Sequence, residues 1–155
     1  MASNDTFEKR KKRGDKSEKK TVRLFKKESI PCGKTVYWTG VKKGSEKWKK
    51  LREKDERVGD RWLIDERLNF TVDIKTSFIS LRSIENFAGT AFLIWSPNLS
   101  ECRVIYPNSF KNINKRNCVE LPSGDHGFSY EQVKTLDYVT LDHFIKTIKA
   151  EYNIT

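Results

Sequence analysis

Asp60, Asp73 and Lys75 are the residues of this chain whose types and spacing suit chemistry. They lie in one segment, GDRWLIDERLNFTVDIK, residues 59–75. The segment predicts two short strands, residues 60–64 and 70–75, around the polar turn Asp65-Glu66-Arg67. A strand sends successive side chains to opposite faces. Phe70, Val72 and Ile74 therefore share one face, and Thr71, Asp73 and Lys75 share the other. The turn throws Asp60 back beside Asp73, giving two carboxylates and one lysine in a small cluster. Hard cations such as magnesium take one or two carboxylates together with substrate phosphate and water. A cation held so lowers the pKa of bound water and neutralises charge developing on a phosphodiester. A lysine two residues along can position that water and offset the phosphate charge. The competing reading is an exposed hairpin whose outward face is charged because water is there.

Asp60, a gap of twelve residues, and then Asp73-Ile74-Lys75 resembles the motif of the PD-(D/E)XK nuclease superfamily. Restriction endonucleases and archaeal-type Holliday junction resolvases belong to that superfamily. Gly59 stands where the motif has proline, and the second acid is Asp rather than Glu. The resemblance implies magnesium, with manganese able to substitute, held by Asp60, Asp73 and the Ile74 carbonyl, with Lys75 serving the attacking water. Resolvase-like members begin with a helix whose glutamate points into the metal site, and that role would fall on Glu18. The resemblance covers roughly residues 15–106. It implies hydrolysis of phosphodiester bonds in DNA, branched or junction DNA included.

The charge distribution points to a polyanion on other grounds. The formal net charge is +10, but residues 1–57 carry 20 Lys and Arg against 9 Asp and Glu, a net of +11, whereas residues 58–155 are at −1. A nucleic-acid backbone accounts for such a surplus through phosphate contact and counterion release. A solubilising tail is the alternative. The 155 residues suffice for one modest core. With no bilayer-length apolar run, and an N-terminus too basic and polar for a signal peptide, the expectation is a cytoplasmic protein without a membrane partner. Cys32, Cys102 and Cys118 form no CxxC pair and are expected as reduced thiols.

The elements that must position the cluster can be read in order. Residues 1–13 have little to bury and are expected as a flexible basic arm or a frayed helix start, with residues 14–155 forming one domain. Residues 14–28 have helical composition, with Glu18, Val22 and Phe25 on one stripe. Glu18 is then either a third ligand or a surface glutamate paired with a lysine. Residues 35–39, TVYWT, predict the first strand. Lys42 and Lys43 fall in a turn, and residues 45–57 predict a helix capped by Ser45. Its Lys47, Lys49, Lys50 and Arg52 either follow a nucleic-acid backbone or form a solvated exterior, and the sequence leaves both open. Residues 78–87 show helical spacing at Phe78, Leu81, Ile84 and Phe87. The apolar run AFLIW, residues 91–95, predicts a central strand, and residues 102–107 a peripheral one. Residues 107–128 read as loop, residues 129–136 as a short helix, and residues 140–152 as an amphipathic helix capped by Thr140.

These expectations amount to an α/β domain whose mixed central sheet is flanked by helices, with a restriction-endonuclease-like core. Its function would be that of a magnesium-dependent endonuclease acting on DNA, as a homodimer if cuts are paired. The alternative is a basic nucleic-acid-binding protein without catalysis, on a degenerate nuclease fold.

Overall fold

The two segments with the clearest strand patterns lie side by side at the centre of the sheet. β3 (Thr71–Thr76) and β5 (Ala91–Trp95) pair in parallel, Asp73 opposite Phe92 and Lys75 opposite Ile94. The structure, a computed structural model, describes residues 7–35 and 40–155, the side chains of residues 7–13 and 54–56 excepted. β1 (Cys32–Lys34) and β2 (Arg61–Leu63) extend the sheet beyond β3, and β6 (Cys102–Ile105) and β9 (Val139–Thr140) extend it beyond β5. The strand order is β1-β2-β3-β5-β6-β9, with every pairing antiparallel except β3–β5. The chain is thus α/β with a mixed central sheet flanked by helices.

Each face of the sheet buries its own core. On one face Val72, Ile74, Leu93 and Val104 pack against Phe25 of α1 (Phe7–Lys27) and Phe144, Ile145 and Ile148 of α5 (Leu141–Glu151). On the other, Phe92, Ile94 and Ile105 meet Ile79, Phe87, Phe110, Phe128 and Val133. Every residue of β5 is buried because both of its faces are covered, which is why it reads as an unbroken apolar run.

The second face is roofed by a small sheet that the sequence pattern does not announce. β4 (Phe78–Ser80) pairs with β8 (His126–Ser129), which pairs in turn with β7 (Val119–Glu120). Residues 78–80 were expected to open a helix. They form a strand because Ser77, at φ +70°, turns the chain out of the large sheet. Its N–H donates to the Trp95 carbonyl at 2.9 Å, and its carbonyl accepts from the Tyr130 N–H at 2.6 Å. The helix, α3 (Leu81–Asn86), starts only after Ser80, whose hydroxyl accepts from the Ser83 N–H. Gly127 lets β4 and β8 approach closely, since a Cβ there would lie 2.2 Å from the Ile79 carbonyl oxygen.

Other boundaries also move. α1 begins at Phe7, so residues 7–13 follow the helical alternative, and residues 1–6 lie outside the described residues. The first described strand is Cys32–Lys34, which ends before Thr35; the rest of the expected strand, residues 36–39, lies outside the described residues. α2 (Glu46–Val58), α4 (Tyr130–Val133) and α5 fall where expected. Ser45 caps α2 through the Trp48 N–H, Ser129 and Gln132 form a capping box on α4, and Thr140 caps α5 through the His143 N–H. Among the described residues no helix is long and apolar enough to cross a membrane. The three cysteines are free thiols, and burial pushes that of Cys102 far above its ordinary pKa.

Candidate active site

Asp60 is placed by a turn that tolerates one residue type. Gly59, between α2 and β2, has φ +82°, and a Cβ there would lie 2.7 Å from the Val72 carbonyl oxygen. Proline, which fixes φ near −65°, could not make this turn, whereas glycine adopts it without strain. The Gly59 carbonyl accepts the Thr35 hydroxyl proton, and the Asp60 N–H donates to the Val72 carbonyl at 2.9 Å. β2 and β3 pair Arg61 with Val72 and Trp62 with Thr71. Continued by one residue, that register sets Asp60 across from Asp73, where paired side chains meet on one face.

The two carboxyl groups do meet. The Asp73 carboxyl lies close enough to Asp60 to oppose its ionisation. Asp60 also accepts the Ile74 N–H through Oδ2 at 2.7 Å. Burial pushes the Asp60 carboxyl well above its ordinary pKa of 3.8, and the neighbouring Asp73 carboxylate adds to the effect; Lys75 and the Ile74 N–H pull against it. Lys75 Nζ lies 3.2 Å from Asp73 Oδ2. The Asp73 side chain is 11% exposed and that of Lys75 31%, so the group is closed at the aspartates and opens at the lysine. One residue back on the same face, the Thr71 hydroxyl is buried without a hydrogen-bond partner.

Lys75 opens into a cleft of about 420 Å³. The ends of β3 and β4 form its floor. Arg52 of α2, Arg82 of α3 and the turn from Leu121 to Asp125 form its walls. Three cations and one carboxylate, Asp125, thus line a single hollow directly beside the acidic pair.

Glu18 is elsewhere. Its Oε1 accepts from Arg61 Nε at 2.9 Å and Nη2 at 2.7 Å. Arg61 lies opposite Val72, whose side chain packs with α1, so this ion pair belongs to the α1 face of the sheet, opposite Asp73. The physical reason is a rotation of α1 by one residue relative to the expected stripe. Ser17, Thr21 and Phe25 are the fully buried positions, and Glu18 flanks them. The small hydroxyl residues let α1 sit close to β3 and β5. Thr76 donates to the Ser17 hydroxyl at 2.7 Å, and the Trp95 indole donates to the Thr21 hydroxyl at 2.9 Å. A search for apolar residues alone passes over such a stripe.

The expected backbone contacts divide similarly. Lys42, Lys43, Lys47, Lys49 and Lys50 are exposed, and Lys49 pairs loosely with Glu46 at 3.8 Å. Lys50 borders a separate hollow with Glu53, Arg57 and Val58. Of the six, Arg52 alone lines the cleft beside Lys75. Arg82 was not singled out from the sequence, where it sits among the apolar positions of a predicted helix. No single-residue signal marks it, because its relevance comes from the placement of α3.

The donors present fit a hard cation in part. Two neighbouring acidic side chains and the adjacent main chain of Ile74 are the kind of oxygen donors that magnesium takes, with the remaining positions left to water and phosphate. Among the described residues no three His, Cys, Asp or Glu side chains converge as a metal-holding group, consistent with Glu18 being tied to Arg61. No protein-family model matches the chain, and no curated protein does either.

Proposed function

We propose that this chain is a metal-dependent endonuclease that hydrolyses phosphodiester bonds in DNA, on a core of the PD-(D/E)XK type. The observation that supports it most is the placement of Asp60 across from Asp73, whose Oδ2 lies 3.2 Å from the Lys75 ammonium, beside a cleft also lined by Arg52 and Arg82. Magnesium or manganese would be held by Asp60, Asp73 and the Ile74 carbonyl, and would supply a water of lowered pKa and charge neutralisation at phosphate. The Ile74 N–H orients Asp60, and the Gly59 turn fixes the distance between the two acids. Lys75 orients the attacking water and stabilises charge on the phosphoryl oxygens. Glu18, engaged by Arg61, supports β2 from the α1 face.

The second reading, a nucleic-acid-binding protein without catalysis, draws on the absence of a third acid from the pair among the described residues. One assay separates the two. Supercoiled, linear and four-way-junction DNA are incubated with the purified chain, with and without magnesium. Nicking or linearisation that requires the metal is the expected outcome. Binding without cleavage under every metal tried favours the second reading.

A further inference from the structure

The outward side of α1 carries a line of charge that the candidate active site does not use. Lys16, Lys19, Arg23, Lys26 and Lys27 are all exposed. At 3.6 residues per turn they fall within an arc of about 100°, on the side of the helix away from the buried Ser17, Thr21 and Phe25. At a rise of about 1.5 Å per residue the stripe runs for about 16 Å. Among the described residues none of the five makes an ion pair.

A helix whose outer face is merely solvated interleaves its charges. α5 does so, pairing Lys146 with Asp142 at 3.0 Å, and α2 pairs Lys49 with Glu46 at 3.8 Å. α1 sends its acids to other elements instead. Glu18 goes to Arg61 on β2, and Glu28 accepts from Lys149 on α5 at 2.8 Å. Cations are left three and four residues apart along the stripe, as in Lys16 with Lys19, Lys19 with Arg23, and Arg23 with Lys27. Like charges at that spacing oppose the helix that carries them. The same arrangement becomes favourable against a polyanion.

The rest of this face decides which polyanion. The exposed large apolar side chains of the described residues are Leu68, Tyr106, Val119 and Tyr138, and none belongs to α1. A membrane surface takes an apolar helix face along with the cations, and a protein partner takes aromatic or apolar anchors. An unpaired strand takes aromatic rings on which its bases stack. A duplex backbone asks for cations alone.

We propose that the outward stripe of α1 binds the phosphate backbone of a nucleic-acid duplex without reading its sequence. The inference goes beyond the nuclease reading and does not need it.

The test measures binding of the full chain to a labelled mixed-sequence duplex, and to one of its strands, in EDTA as a function of salt. Each phosphate contact on a duplex contributes about 0.9 to the slope of log K against log salt. Lys19→Gln combined with Arg23→Gln is expected to flatten the duplex slope by about 1.8, equally for unrelated sequences. Lys19→Arg combined with Arg23→Lys keeps both charges and should keep the wild-type slope. Lys111→Gln combined with Lys146→Gln removes the same charge from exposed positions off α1 and should leave the slope unchanged. The glutamine pair on α1 should also melt no lower than wild type, because it relieves repulsion within the helix. An unchanged slope in that pair, an equal loss in the pair off α1, or a loss confined to the single strand would each overturn the proposal. Tighter binding to polyglutamate or to phosphatidylserine vesicles than to the duplex at the same salt would overturn it too. A chain that binds through α1 and never cuts keeps the stripe and loses the nuclease. A chain that cuts while the glutamine pair binds as wild type loses the stripe alone.

Discussion

Two polar clusters lie on this protein's sheet, and they are built to opposite ends. At Arg103, on β6, every charge has its answer. The guanidinium donates to the Tyr130 hydroxyl at 3.2 Å and to the Lys134 carbonyl at 3.0 Å, stacks on Tyr138 at 3.8 Å, and lies 3.5 Å from Glu101. Tyr130 donates to Glu101 in turn, which holds that carboxyl below its ordinary pKa. Burial, helped by Glu101, pushes the Tyr130 hydroxyl up to about 12, so it stays a donor. At Asp60 and Asp73 two acids face each other with one lysine, and the Asp60 carboxyl is driven the other way, above its ordinary pKa. In the satisfied network the Glu101 carboxylate is held charged by its donors, whereas at the acidic pair the Asp60 carboxyl is held back from ionising. The first kind of cluster supports the fold, while the second leaves a deficit of positive charge that a ligand can fill.

The comparison breaks most visibly at Asp73. Replacing it with alanine should lower metal-dependent cleavage by at least about a thousandfold, or roughly 4 kcal/mol in the barrier. Binding should hold or tighten, because a negative charge facing phosphate is gone. Turnover and anisotropy measured on the same preparation give both numbers. Residual cutting near the wild-type rate would remove Asp73 from the site.

Arg103→Ala should show the reverse pattern. Lost hydrogen bonds and stacking destabilise the domain by about 2 kcal/mol, read from urea unfolding, while the rate constant for cleavage in folded protein stays within a few-fold.

Asp60→Asn sharpens the contrast through its sign. A carboxyl with a raised folded-state pKa contributes stability that is complete below the unfolded value. That contribution is lost as pH rises through the folded one. Asparagine stays neutral, can still accept the Ile74 N–H, and can donate to Asp73. The variant should therefore exceed wild type in stability at pH 8, and the gap should close towards pH 4. Melting curves across that range check it. A variant less stable than wild type at pH 8 would mean that the two acids do not repel.

The smallest effect is expected at Glu18. Glu18→Gln keeps a hydrogen bond to Arg61 but loses the ion pair, costing about 1 kcal/mol or less at this partly exposed site. Cleavage should change by less than about threefold. A loss of a hundredfold would return Glu18 to the metal.

Much of the central sheet was legible in the sequence because its signals are local. The alternation from Phe70 to Lys75 and the apolar run from Ala91 to Trp95 are properties of a few adjacent residues, and both strands form as read. The juxtaposition of Asp60 with Asp73 followed from a short turn between two strands, and register then does the rest. What was not legible depends on distant partners. Ser77 carries no sign that it will take a positive φ; that becomes favourable once Trp95 and Tyr130 receive its backbone groups. The small sheet consists of strands of two to four residues, too short for alternation to register, one at residues 78–80 and two in or at the end of the stretch read as loop. Glu18 was misaligned because the buried stripe of α1 is made of Ser17 and Thr21, which hydropathy ranks as surface residues. Their hydroxyls bond back to the carbonyls of Gly14 and Ser17, which lets them be buried.

Whether Asp60 and Asp73 together hold a divalent cation is read from paramagnetic broadening by manganese. In amide spectra of the full chain, substoichiometric manganese should erase the signals of Asp60, Asp73, Ile74 and Lys75 first, with Arg103 and its neighbours untouched, and Asp73→Asn should abolish the effect. Broadening that is absent, or centred elsewhere, or unchanged in Asp73→Asn would contradict the account.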